Sequence, residues 1–139
     1  MNTAVDFDNF TPPTPYQAFG GSKAIQQIVD RFYDLMENDP AFEELRAKHA
    51  EDLEPMRASL TGWMKGWFGG PRDWFDANPG KCMIKMLSAA GIGRDTAGQW
   101  ADAMTRAMRE FAPNNPEMRQ ALAERFHLVA KSMAMSSPN

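Results

Sequence analysis

From residue 22 to residue 135, apolar residues recur at steps of three and four, and alternation with period two is nowhere sustained. An α-helix gathers such positions onto one face, whereas a half-buried strand needs strict alternation. The pattern therefore restricts the chain to an all-α fold. Gly and Pro cut it into segments. Ser22–Asn38 carries Ile25, Ile28, Val29, Phe32, Leu35 and Met36 as one stripe, with Ser22 as a candidate cap behind Gly20-Gly21. Asn38-Asp39-Pro40 ends it, and Pro40 opens a short helix over 40–50.

The next helix is expected from about 53 to 68, on the stripe Met56, Leu60, Trp63, Met64 and Trp67, and it stops at Gly69-Gly70-Pro71. A broken segment runs to Asn78-Pro79-Gly80. The stretch KCMIKMLSAAG, residues 81–91, places Cys82, Met83, Met86, Leu87 and Ala90 on one helical face and Lys81, Lys85 and Ser88 on the other. Two long helices close the chain. The first, 94–111, has Asp95 as candidate cap and Ala97, Trp100, Ala101, Met104, Ala107, Met108 and Phe111 inside. The second, 116–135, has Asn115 as cap and Met118, Ala121, Leu122, Phe126, Val129 and Met133 inside. Residues 1–15 are Pro- and Asp-rich and read as a flexible tail, 16–135 as the domain, and 136–139 as a short C-terminal tail.

The 139 residues suit one domain with a core large enough for a cavity. The net charge of -3 contains no block of like charge, so a nucleic-acid footprint is absent. One Cys cannot form an internal disulfide, which suits a reducing compartment. The N-terminus carries acids where a signal peptide needs bases, and no segment approaches the roughly 20 apolar residues of a membrane span. The expected location is cytoplasmic. No glycine-rich phosphate loop, metal-spaced cluster or nucleophile elbow occurs, so no recognisable catalytic motif points to an enzyme.

Singly, each candidate site residue has an ordinary explanation. Tyr33, Trp63, Trp67 and Trp100 at helical spacing suit a core. His127 at the edge of a stripe suits a half-buried structural imidazole, and His49 a turn. The 11 Met suggest an adaptable interior. Together, the glycine pair at 20–21, RFYDLM at 31–36, WFGGP at 67–71 and Trp100, in that order, resemble the group II truncated haemoglobins over roughly residues 15–135.

That resemblance implies a two-over-two helical sandwich around haem. Tyr33 then matches the family's distal tyrosine, Trp100 its distal-side tryptophan, and His49 a polar or aromatic position at the pocket mouth. Trp63, Met83 and Met86 would line the same pocket. Lys81 and Lys85 would stand near the haem propionates. The family's proximal histidine aligns with Leu87, or with Lys85 when counted from Pro79, and no His occurs between 50 and 126. A Leu cannot donate to iron.

The leading expectation is a truncated globin that has lost conventional haem–oxygen binding. It would bind a small apolar or carboxylate ligand, or a protein partner, with no haem cofactor, no nucleic acid and no membrane. The oligomeric state stays open. The first alternative is haem held by an unusual ligand, Met86, Tyr33 or His49, for gas binding, sensing or redox chemistry. The second is a bilin or other tetrapyrrole carrier attached through Cys82.

Overall fold

The computed structural model describes residues 13–136, with the side chain of Ser136 excepted. Most of the sequence expected as a tail, residues 1–12, and residues 137–139 lie outside the described residues. The order is α1 (Pro15–Phe19), α2 (Ser22–Asn38), a 3-10 turn (Pro40–Phe42), α3 (Glu43–Ala47), α4 (Glu54–Trp67), α5 (Asp73–Ala77), α6 (Met83–Ala89), α7 (Arg94–Phe111) and α8 (Pro116–Ser136). No strand occurs among the described residues.

Helices α7 and α8 pack most extensively on one another, α2 lies across α7, and α4 lies against α2. The long helices thus form two layers, α2 with α4 over α7 with α8. Every expected stripe residue of α2 is buried, as are Ala97, Trp100, Ala101, Met104, Ala107 and Met108 of α7. Helix α6 packs on α8. There the Ser88 hydroxyl donates to the Met133 carbonyl at 2.8 Å.

The termini of these helices correct several expectations. Ser22 is the first helical residue rather than the cap, because Gly21 takes the cap position with φ +88. Asp95 likewise lies inside the first turn of α7, behind the cap Gly93. Asn115 does cap α8, accepting from the Met118 N–H at 3.0 Å. Ala121 faces outward, since an alanine is small enough for either face.

Helix α1 begins inside the expected tail. Thr14 accepts from Gln17 N–H and its own N–H donates to the Gln17 side chain, a reciprocal capping box. The helix is anchored on the far side of the domain: the Tyr16 N–H donates to the Phe68 carbonyl at 2.9 Å. The glycine pair after α4 receives it. A Cβ on Gly70 would stand 2.4 Å from the Tyr16 ring, and Gly69 has φ +94 against Thr14. The segment after this pair, expected as irregular, contains α5, whose Phe75 ring lies over Gly66.

Candidate functional site

The interior between the two layers is built from aromatic side chains in sequence-distant positions. His49 meets Tyr33 edge-on with ring centroids 6.1 Å apart, and Tyr33 meets Phe32 at 5.0 Å. Phe32 then meets Trp100 at 6.0 Å, and Trp100 meets Phe126 at 6.2 Å. Trp67 lies between Phe126 at 5.1 Å and Trp63 at 5.5 Å, stacked on both. Offset and edge-to-face pairs of this kind add to simple area burial.

Three polar atoms in this chain of rings are buried without a hydrogen-bond partner: the Tyr33 hydroxyl, His49 Nε2 and Trp100 Nε1. Native interiors seldom leave such atoms unpaired, and each lost bond costs about 1–3 kcal/mol. The His49 ring is oriented by its other nitrogen, Nδ1, 2.9 Å from the Leu45 carbonyl. That contact assigns the proton to Nδ1 and leaves Nε2 with a free lone pair. Burial lowers the His49 pKa from the ordinary imidazole value, the Arg46 charge adds to this, and the Leu45 carbonyl opposes it. The ring is therefore held neutral. Burial also pushes the Tyr33 phenol well above its ordinary value, so the phenol keeps its proton as a donor.

Arg57 was not among the expected site residues. Its guanidinium lies 5.0 Å from the Tyr33 ring centroid and is held by Asp30 at 2.7 Å. The signal was its spacing: Arg57, Leu60 and Met64 share one face of α4. A cation on that stripe needs a π-face or a carboxylate, and Arg57 finds both.

The expected site residues on α6 separate. Met83 and Leu87 are buried, Met86 is half-buried, and Lys81 and Lys85 are exposed. Of the two positions considered opposite the distal side, Leu87 therefore points inward and Lys85 outward. Cys82 and Ala90, expected on the inner face, are exposed, and Ser88, expected outside, is buried. The physical reason is that Cys82 is the extended residue before the helix, so its side chain does not follow the helical period. Ser88 tolerates burial because its hydroxyl has the Met133 carbonyl as partner. His127 is exposed rather than half-buried, with Nε2 3.4 Å from Asp102.

Space beside these walls would leave them accessible to water. Tyr33 and Trp100 are fully buried, and Leu87, Met83 and Trp63 are 1%, 2% and 6% exposed. Side chains, not open volume, fill the interior next to them. Among the described residues no group of three or more His, Cys, Asp or Glu could hold a metal ion.

A family model of bacterial-like globins matches residues 14–135. The chain belongs to the bacterial-like globins. Among solved structures, this globin is similar to the cold-adapted truncated haemoglobin of the Antarctic bacterium Pseudoalteromonas haloplanktis TAC125, at 29% identity and a TM-score of 0.79. That match covers 88% of this chain and 98% of the other. It is also similar to the group II 2-on-2 haemoglobin of Agrobacterium tumefaciens, at 27% identity and a TM-score of 0.81, covering 90% of this chain and 96% of the other. The haemoglobin of Chloroflexus aurantiacus matches at 30% identity and a TM-score of 0.73, covering 88% and 98%. No curated protein sequence matches this globin.

Globins hold haem iron through a proximal histidine. Tyr33, Trp100 and His49 each supply one buried polar atom without a partner. Helix α6 supplies Met83, Met86 and Leu87 and no imidazole, and the only His residues of the chain are 49 and 127. No imidazole therefore stands on α6.

Proposed function

We propose that this globin has left conventional haem–oxygen binding and serves as a non-haem binding or sensor module. One observation carries the proposal: the inward position of α6 is Leu87, buried beside Met83 with no imidazole on the helix. Haem in a globin is retained by apolar burial together with the iron–imidazole bond, and this chain lacks the second part. The three unpaired polar atoms then take on another use. Once the side chains that fill the interior part to admit it, a small ligand bearing an acceptor would pair with the Tyr33 hydroxyl and the Trp100 indole N–H, and one bearing a donor would pair with His49 Nε2.

Haemin titration followed by the visible spectrum tests this. The expected result is no sharp Soret band at one equivalent. A stoichiometric sharp band that disappears in a Met86, Tyr33 or His49 variant would overturn the proposal.

A second reading rests on His49. Its neutral ring, oriented through Nδ1 with Nε2 free, is the form in which imidazole ligates a metal. Of the three substitutes considered, Tyr33 resists ionisation and Met86 is only half-buried. On this reading haem would be held from the distal side by His49. Its signature is a coloured protein whose haem is lost specifically in His49→Ala while Met86→Leu keeps it. A bilin carried on Cys82 has less support, because that thiol is exposed before α6 and away from the interior.

A further inference from the structure

We propose that the first turn of α7 is a binding site for a single oxyanion group, a carboxylate or a phosphate. A cleft of about 90 Å³ opens there, lined by Lys48, Gly91, Gly93, Arg94, Asp95 and Thr96. It lies between the end of the α3 segment and the turn joining α6 to α7, apart from the interior aromatic chain.

Four features converge on this cleft. The 18-residue helix α7 starts at Arg94 behind Gly93, which has no side chain to cap it. The Thr96 and Ala97 N–H groups both donate to the Gly93 carbonyl, so the Arg94 and Asp95 N–H groups are left without a backbone acceptor. Free N–H groups at the positive end of a long helix are suited to anions. Second, Thr96 is 1% exposed and its hydroxyl has no hydrogen-bond partner. Thr96 is one of the residues lining the cleft, is buried beyond nine-tenths, and leaves its hydroxyl donor unused by the protein itself. Third, Lys48 and Arg94 are both exposed and neither forms an ion pair with a described residue, which leaves their charge for a ligand. Fourth, the backbone at Gly91 has φ +102, and a Cβ there would meet the Lys48 side chain at 3.5 Å. Lys48 thus lies within van der Waals reach of this turn, and the positive φ is what calls for glycine there.

Asp95 opposes an anion. Its carboxylate lines the same cleft, so two cations, the helix end and a hydroxyl stand against one negative charge. The balance favours binding, and it makes the site weak in the native chain and tunable. The proposal is independent of any ligand in the interior, because none of the six lining residues belongs to the aromatic chain.

The test uses the full ¹⁵N-labelled chain at low ionic strength, titrated separately with inorganic phosphate and with acetate. Saturable shifts of the Arg94 and Asp95 amides with either anion are expected, and which anion saturates decides between the two ligand chemistries. Lys48→Ala with Arg94→Ala should weaken that binding at least about tenfold. Asp95→Asn should tighten it several-fold, and Thr96→Val should weaken it with α7 intact. Non-saturating shifts with both anions, or unchanged affinity in the double variant, would overturn the proposal. The substituted cations are exposed, so folding is preserved, and the amide pattern of the remaining helices verifies it. The haemin experiment reads the interior and this one reads the start of α7, so either can fail alone.

Discussion

At the scale of single residues, the buried polar atoms are the most costly features of this globin. The Tyr33 hydroxyl sits in a fully buried side chain with no partner. Removing an unsatisfied hydroxyl while keeping the ring should raise the stability of the ligand-free protein. Tyr33→Phe is therefore expected to stabilise it by about 1 kcal/mol, read from the urea midpoint at constant m-value. A loss of stability would mean that the hydroxyl has a partner in solution.

His49 gives a pH dependence of defined sign. Its folded pKa lies below the unfolded value, so the unfolded chain binds the proton more tightly. The contribution of the neutral ring is fully present above about pH 6.5 and is lost as the pH falls through the folded pKa. Unfolding midpoints measured between about pH 7 and pH 5 should decline, and His49→Gln should flatten that decline.

At the scale of elements, legibility followed length and sidedness. The spans of α2 and α7 in the sequence match the folded helices because each presents a long one-sided stripe. Of the three five-residue helices, α1 and α5 escaped notice for a physical reason. A helix that short is not stable by itself, and what forms it is tertiary contact. Tyr16 seated on Gly70 and Phe75 over Gly66 are such contacts, and neither can be found by periodicity. The inner face of α6 was half legible: Met83 and Leu87 follow the helical period, while Cys82 stands before the helix and Ser88 depends on a carbonyl from α8.

In this fold the WFGGP run receives α1. Gly70→Ala should thus destabilise the protein by about 1–3 kcal/mol, because the methyl group meets the base of the Tyr16 ring rather than a movable tip. Thermal unfolding checks this. Tyr16→Ala in the same background should make Gly70→Ala nearly neutral, as coupled neighbours require.

At the scale of the whole molecule, the all-α class was legible because the apolar stripes recur at helical spacing, and the two-layer architecture was legible only through the resemblance to the group II truncated haemoglobins. What the interior holds was less legible, since Met and Trp at helical spacing look the same whether they enclose a guest or each other. That no His lies on α6 was visible at once, because it depends only on where the two His stand in the sequence. The consequence is a gain-of-function prediction. Leu87→His places an imidazole at the inward position of α6. It should convert the chain into one that takes up haemin at one equivalent with a sharp Soret band, at some loss of ligand-free stability from the buried polar ring. If Leu87→His takes up no more haemin than the parent, the dense packing rather than the absent donor sets the limit.

Trp67 is held nearly parallel between Trp63, at 24°, and Phe126, at 21°. Two indoles at 5.5 Å share their electronic excitation, and the circular dichroism they produce together depends steeply on the angle between them. Anything wedged between the helical layers must part this stack or tilt it. The globin thus carries its own optical gauge of what parts this stack, without any added label or chromophore.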